Sequence, residues 1–165
     1  MIKGKIYKFG ANVDTDAIIP SRYANLITPS DLGKHCMEGI APDFAKEIRP
    51  GDIIMAASNF GCGSSREQAP ISIKGAGVSC VIAKTFARIF FRNAINISLP
   101  LLECPEAVDH TDQGDELEID LASGKIRNIT KDTVFTVPPY PDFIRGIIDA
   151  GGLIKYTIKK REAGR

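Results

Sequence analysis

Residues 3–9 alternate charged and apolar side chains, Lys3, Lys5 and Lys8 against Ile6 and Phe9, and predict a short strand ending at Gly10. Residues 53–57, 78–83 and 99–102 are short apolar runs, the pattern of strands buried on both faces. Helical patterns fall between them. Ser30 is expected to cap a helix reaching about Met37, and residues 41–48 read as another short helix with Pro42 early. Residues 67–74 predict a helix closed by Gly75 just past its last turn. Residues 85–96 predict a longer one, with Phe86, Ile89 and Phe90 on one face and Arg88 and Arg92 on another.

Beyond residue 109 the pattern changes. Residues 115–121 alternate strictly, Ser123-Gly124 reads as a hairpin turn into residues 125–128, and residues 133–137 form a further strand. Residues 142–150 predict an amphipathic helix with Phe143, Ile147 and Ile148 inward, closed by Gly151-Gly152. Residues 153–158 read as a last strand and the basic tail after them as frayed. The order predicts one α/β domain over residues 1–165: a mixed sheet with a parallel core, flanking helices and an added antiparallel hairpin.

Composition changes little in this picture. Apolar residues make up 44% and charged residues 25% of the 165, enough for a sizeable core in an ordinary globule. A net charge of +1 offers no argument for nucleic acid or a membrane surface as partner. No apolar run approaches a membrane span, and the first ten residues lack the apolar region of a signal peptide, so the cytosol is the expected compartment. Cys36, Cys62, Cys80 and Cys104 are scattered, without a C-x-x-C pair or a zinc pattern with His35 and His110. Reduced, separate thiols are expected, and no metal or iron–sulfur ligand set.

The chemistry concentrates in residues 58–77, SNFGCGSSREQAPISIKGAG. Gly61 and Gly63 permit backbone angles that a side chain would forbid. Ser64 with Glu67, and Ser65 with Gln68, have capping-box spacing. The run is not a dinucleotide fingerprint, because Arg66 replaces its last glycine. It is not a P-loop, since no Gly-Lys-Ser/Thr follows, nor a nucleophile elbow, since Glu67 sits where a glycine belongs. Two readings fit: a capped helix after a tight turn, or a seat for a carboxylate or phosphate at a helix start, with Arg66 as a planar fork. The density of Gly-x-Gly-Ser-Ser-Arg-Glu favours the anion seat. Upstream, Asp14, Thr15 and Asp16 read most simply as Asx-type turns.

These same residues resemble a known family. NFGCGSSRE is similar to the signature of the small subunits of isopropylmalate dehydratases, in the aconitase superfamily. The likeness continues in Lys8-Phe9-Gly10, Asn12-Val13-Asp14-Thr15-Asp16, Lys74-Gly75-Ala76-Gly77, Phe86-Ala87-Arg88-Ile89-Phe90 and Arg92-Asn93-Ala94-Ile95-Asn96, in one order over nearly the whole chain. The resemblance implies a swivelling domain that closes over a large subunit bearing a four-iron–four-sulfur cluster, with no cofactor bound by this chain. It implies isomerisation of a small hydroxy diacid by loss and return of water, in leucine biosynthesis. It implies that Ser64 is the catalytic base in its alkoxide form, that Arg66 and Ser65 bind a substrate carboxylate, and that Thr15 and Asp16 face the pocket. Asp16 would there hydrogen-bond a catalytic group of the partner. Arg88 and Arg92 are interface candidates.

The resemblance also implies that the loop at residues 22–28 reads the variable end of the substrate. After Arg22 it carries Ala24, Asn25, Leu26 and Ile27 and no cation. A third carboxylate would be buried there unpaired, whereas an isopropyl group would contact Leu26 or Ile27. Arg22 is the one nearby cation that could swing inward. Homoaconitate, citramalate and dimethylmalate stay open as substrates. A non-catalytic anion-binding regulatory subunit is the reading from another class.

Overall fold

The computed structural model describes residues 1–164. Seven strands form one sheet: β1 (Ile2–Phe9), β2 (Ile53–Ala56), β3 (Cys80–Ala83), β4 (Leu101–Glu103), β5 (Glu116–Asp120), β6 (Lys125–Asn128) and β7 (Thr133–Thr136), in the order β4-β3-β2-β1-β5-β6-β7. The first four run parallel, with Ile6 opposite Ile53, Ile54 opposite Val81, and Ile82 opposite Leu102. β1 then pairs antiparallel with β5, and β6 and β7 continue as a meander. This is the mixed α/β sheet with a parallel core that the apolar runs and the later strict alternation predict.

Among the described residues eight α-helices accompany the sheet: α1 (Thr15–Ile18), α2 (Pro29–Gly33), α3 (Phe44–Glu47), α4 (Gln68–Gly75), α5 (Arg88–Asn96), α6 (Pro105–His110), α7 (Asp142–Ala150) and α8 (Leu153–Ala163). β2 and β3 are buried on both faces, which is why their sequences do not alternate. Ile54, Ala56, Val81 and Ala83 join Leu32, Phe60, Ile73 and Phe90 in one core. Ile53, Met55, Cys80 and Ile82 join Leu117, Ile119, Ile126, Phe135 and Val108 in a second. The antiparallel strands and α6 thus cover one face of the parallel core, and the helices that carry the glycine turn cover the other. None of the helices described is long and apolar enough to cross a membrane.

Several local expectations fail for physical reasons. Residues 153–158 are helical, not a strand, and the helix runs through the basic tail to Ala163. The six-residue window satisfies either period, and Lys159, Lys160, Arg161 and Glu162 extend it with good helix formers. Phe143 points outward, 58% exposed, with Tyr156 of α8 edge-on against it. Ile89 likewise faces out. The helix expected from residue 85 begins at Arg88, because Phe86 is paired in a bridge with Phe60. Thr28, not Ser30, caps α2, accepting from the Asp31 N–H at 3.2 Å.

Gly75 is not the left-handed stop but the last residue of α4; the chain turns at Gly77, φ +94°. Gly75 is needed for space: a Cβ there would overlap the Pro29 carbonyl at the start of α2, and one on Gly33 would meet Gly75. The two helices touch backbone to backbone, which fixes the loop before α2 beside the start of α4.

Candidate active site

The site is built where three parallel strands end. The segment after β1, the glycine turn after β2 and the segment after β3 are stitched by two isolated bridges, Asp14 with Cys62 and Phe60 with Phe86. Backbone bonds hold them: Gly61 N–H to Val13 O at 2.8 Å, Thr15 N–H to Cys62 O at 2.9 Å, and Ala87 N–H to Phe60 O at 2.9 Å. The carboxyl edge of a parallel sheet is the usual place for a ligand.

The turn depends on its glycines. Gly61 and Gly63 have φ of +81° and +90°, and a Cβ on Gly61 would overlap the Phe90 ring. The predicted capping boxes are absent. α4 starts at Gln68, after Glu67, with no side-chain cap. Ser64 is instead turned towards Thr15, whose Oγ1 donates to the Ser64 carbonyl at 2.8 Å and lies 3.5 Å from Ser64 Oγ. The N–H groups of Ser64, Ser65, Arg66, Glu67 and Gln68 find no acceptor among the described residues. A run of free donors ahead of a helix start is a seat for negative charge.

Asp14 caps α1, accepting from the Ala17 N–H at 2.7 Å, a helix N-cap three residues on in place of the expected Asx-type turn. Thr15 is buried and Asp16 is exposed. Asp16 Oδ1 accepts from the Ser21 N–H at 3.0 Å and from Arg66 Nη1 at 3.2 Å, and Arg66 Nη1 also reaches the Ile19 carbonyl at 3.1 Å. One corner of the guanidinium is therefore anchored, and no other nitrogen of it is engaged among the described residues. Thr15, Ser64, Ser65 and Arg66 share a cavity of 220 Å³. Its far wall is Ala87, Arg88, Ile89, Phe90 and Asn93. Sequence reasoning missed that wall as part of the site. The bridge at Phe86 that brings it there is a long-range pairing without a local pattern.

The loop at residues 22–28 lies beside this cavity without lining it. Gln68 Nε2 donates to the Ala24 and Leu26 carbonyls at 2.7 and 3.2 Å, tying the loop to the start of α4. Ala24 and Asn25 are exposed and Leu26 is half-buried against the core. Ile27, 84% exposed, borders a different, apolar cavity of 440 Å³ with Ile71, Ile97, Ile154, Lys74 and Lys155. That larger space is mostly apolar, with Lys74, Lys155 and Asn96 as its polar side chains, and it is lined by no carboxylate, hydroxyl, thiol or imidazole. Arg22 does not swing inward. Its Nη2 pairs with Glu38 Oε1 at 2.5 Å, and its guanidinium stacks 4.8 Å over the Tyr23 ring.

Glu38 gathers the loop. It also accepts from the Tyr23 hydroxyl at 2.7 Å and pairs with His35 Nδ1 at 2.7 Å, while the Tyr23 and His35 rings stack at 3.8 Å. The Tyr23 hydroxyl, then His35 and Arg22, outweigh desolvation and pull the carboxyl from 4.5 down to about 2. A depressed carboxylate stabilises the fold fully above its unfolded value, and that contribution disappears as pH falls through about 2. NMR titration of the Glu38 side chain is expected to give a midpoint near 2, against 4.5 for an unperturbed glutamate. A midpoint at the ordinary value means the network does not form.

The cysteines do not suit an iron–sulfur cluster. Cys36, Cys80 and Cys104 are buried, with Cys62 half-buried, and no three metal-ligating side chains gather among the described residues. Burial pushes the Cys36 thiol up to about 12 and the Cys80 thiol up as well, the opposite of what thiolate ligation needs.

Four parallel strands continued by an antiparallel meander, with the glycine turn at the end of β2, make the fold of an aconitase-type swivel domain. The model for the aconitase C-terminal domain matches residues 4–107, and the chain belongs to that family, among its dehydratase small subunits. It is 59% identical over 158 residues to the 3-isopropylmalate dehydratase small subunit of Methanosarcina acetivorans, covering 96% of this chain and 97% of the other. It is 57% identical over 154 residues to the 2,3-dimethylmalate dehydratase small subunit of Eubacterium barkeri, covering 93% and 94%. A crystal structure of 3-isopropylmalate dehydratase from Methanocaldococcus jannaschii superposes with a TM-score of 0.94 at 46% identity, over 99% of this chain and 96% of that one.

Proposed function

We propose that this chain is the small subunit of a 3-isopropylmalate dehydratase, which converts 2-isopropylmalate to 3-isopropylmalate through 2-isopropylmaleate, in the cytoplasm and in leucine biosynthesis. The observation that carries the reading is Ser64 beside Thr15 and Arg66 in one cavity, on a turn with five free N–H donors. The methylene next to a carboxylate must lose a proton, its electron pair forms the alkene, and hydroxide leaves the neighbouring carbon. Water then returns with the opposite orientation. Ser64 takes the C–H proton as an alkoxide and returns it from the hydroxyl so formed, and the free N–H groups of the turn and helix start favour the negative charge there. Arg66, steadied by Asp16, grips a carboxylate with its free nitrogens, and Ser65 adds a hydrogen bond.

The reading requires a large subunit as partner, and that subunit carries the four-iron–four-sulfur cluster. It disfavours a tricarboxylate, because Arg22 is committed to Glu38 and the loop offers no other cation. The Eubacterium barkeri relative supports a second reading, in which the substrate is 2,3-dimethylmalate. The test is kcat/KM of the complex reconstituted with its large subunit. A preference for 2-isopropylmalate over 2,3-dimethylmalate, citramalate and homoaconitate is expected. A preference for 2,3-dimethylmalate favours the second reading, and one for homoaconitate refutes the account of the loop.

A further inference from the structure

We propose that the first turn of α5 reads the substrate: Arg88 binds the carboxylate that Arg66 does not hold, and Ile89 lies against the alkyl group. This rests on the functional reading above and extends it to residues on the opposite wall of the same cavity.

A substituted malate carries two carboxylates. Arg66 can serve one, but its charge is already partly offset by Asp16 at 3.2 Å. The other cation lining the cavity is Arg88. It is exposed and, like Arg49, Arg92 and Arg161, makes no ion pair among the described residues, and of these four only Arg88 lines the cavity. A carboxylate closed into this site without a cation would be costly, and a guanidinium fork matches it.

Shape supplies the second half. Phe90 is buried at 3% exposure and holds α5 against Gly61, which leaves Ile89 facing out at 55%. In the free chain that side chain is wetted for no structural gain. With substrate bound, an isopropyl group would meet it. Arg88 and Ile89 start a helix that Ala87, bonded to Phe60, fixes in place, so this wall is more rigid than a free loop.

The competing role is subunit contact, and the experiment separates the two. Arg88→Gln, Arg88→Lys and Ile89→Ala are assembled with the large subunit, and kcat, KM and the Kd of subunit association are measured for each. Arg88→Gln is expected to raise KM by about tenfold or more, the loss of a charge-assisted hydrogen bond, at unchanged subunit Kd. Arg88→Lys should recover part of that loss. Ile89→Ala should narrow the preference for 2-isopropylmalate over citramalate by about tenfold. Wild-type KM in Arg88→Gln, or a KM rise explained by weaker assembly, overturns the proposal and leaves the functional reading standing. No turnover by the wild-type complex removes both.

Discussion

Ser64→Ala is expected to lower kcat of the assembled enzyme by about 100- to 10,000-fold, the usual contribution of a positioned base. The fold should be untouched. Ser64 is exposed, and what anchors it is the Thr15 Oγ1 bond to its carbonyl, which the substitution keeps. KM should stay near that of the wild type, because in the proposed reading the carboxylates are held by Arg66, Ser65 and Arg88 and not by Ser64. A variant with near-normal kcat would mean that another group takes the proton.

Gly61→Ala is expected to cost about 2–5 kcal/mol, combining left-handed strain with an overpacked Phe90. Melting should fall by roughly 5–15 °C. The two costs arise together, because φ is +81° and the added Cβ overlaps a ring that belongs to the core. Gly10→Ala is the control. A Cβ there meets nothing within 4 Å, so Tm should hold. If Gly61→Ala melts with the wild type, the turn has another conformation. A large drop also reports on function, since Gly61 joins the strand end to Ser64 and buttresses α5.

The sheet was legible in the sequence for a simple reason. Strands buried on both faces must be apolar at every position, and half-buried ones must alternate, so β1 to β3 and β5 to β7 announce themselves. α8 was not legible, because Leu153 to Ile158 fit period two and period 3.6 alike, and α6 escaped because its six residues, Pro105 included, are too few to show a period. Within the site, Thr15, Asp16, Ser64, Ser65 and Arg66 were legible as contiguous motifs, and Asp16 and Arg66 prove to be paired. Arg88, Ile89 and Asn93 were not legible as cavity residues. They come together with Ser64 only through the Phe60–Phe86 bridge. The withdrawal of Arg22 was equally hidden, because its partner Glu38 lies sixteen residues on and acts through stacked Tyr23 and His35.

The most direct test of the account is to incubate 2-isopropylmalate with this chain, with its cluster-bearing large subunit, and with both, following 2-isopropylmaleate and 3-isopropylmalate by chromatography. The account predicts both products with the two subunits together and neither with one alone. Products formed at the same rate by the large subunit alone, or none from the loaded complex, would contradict it.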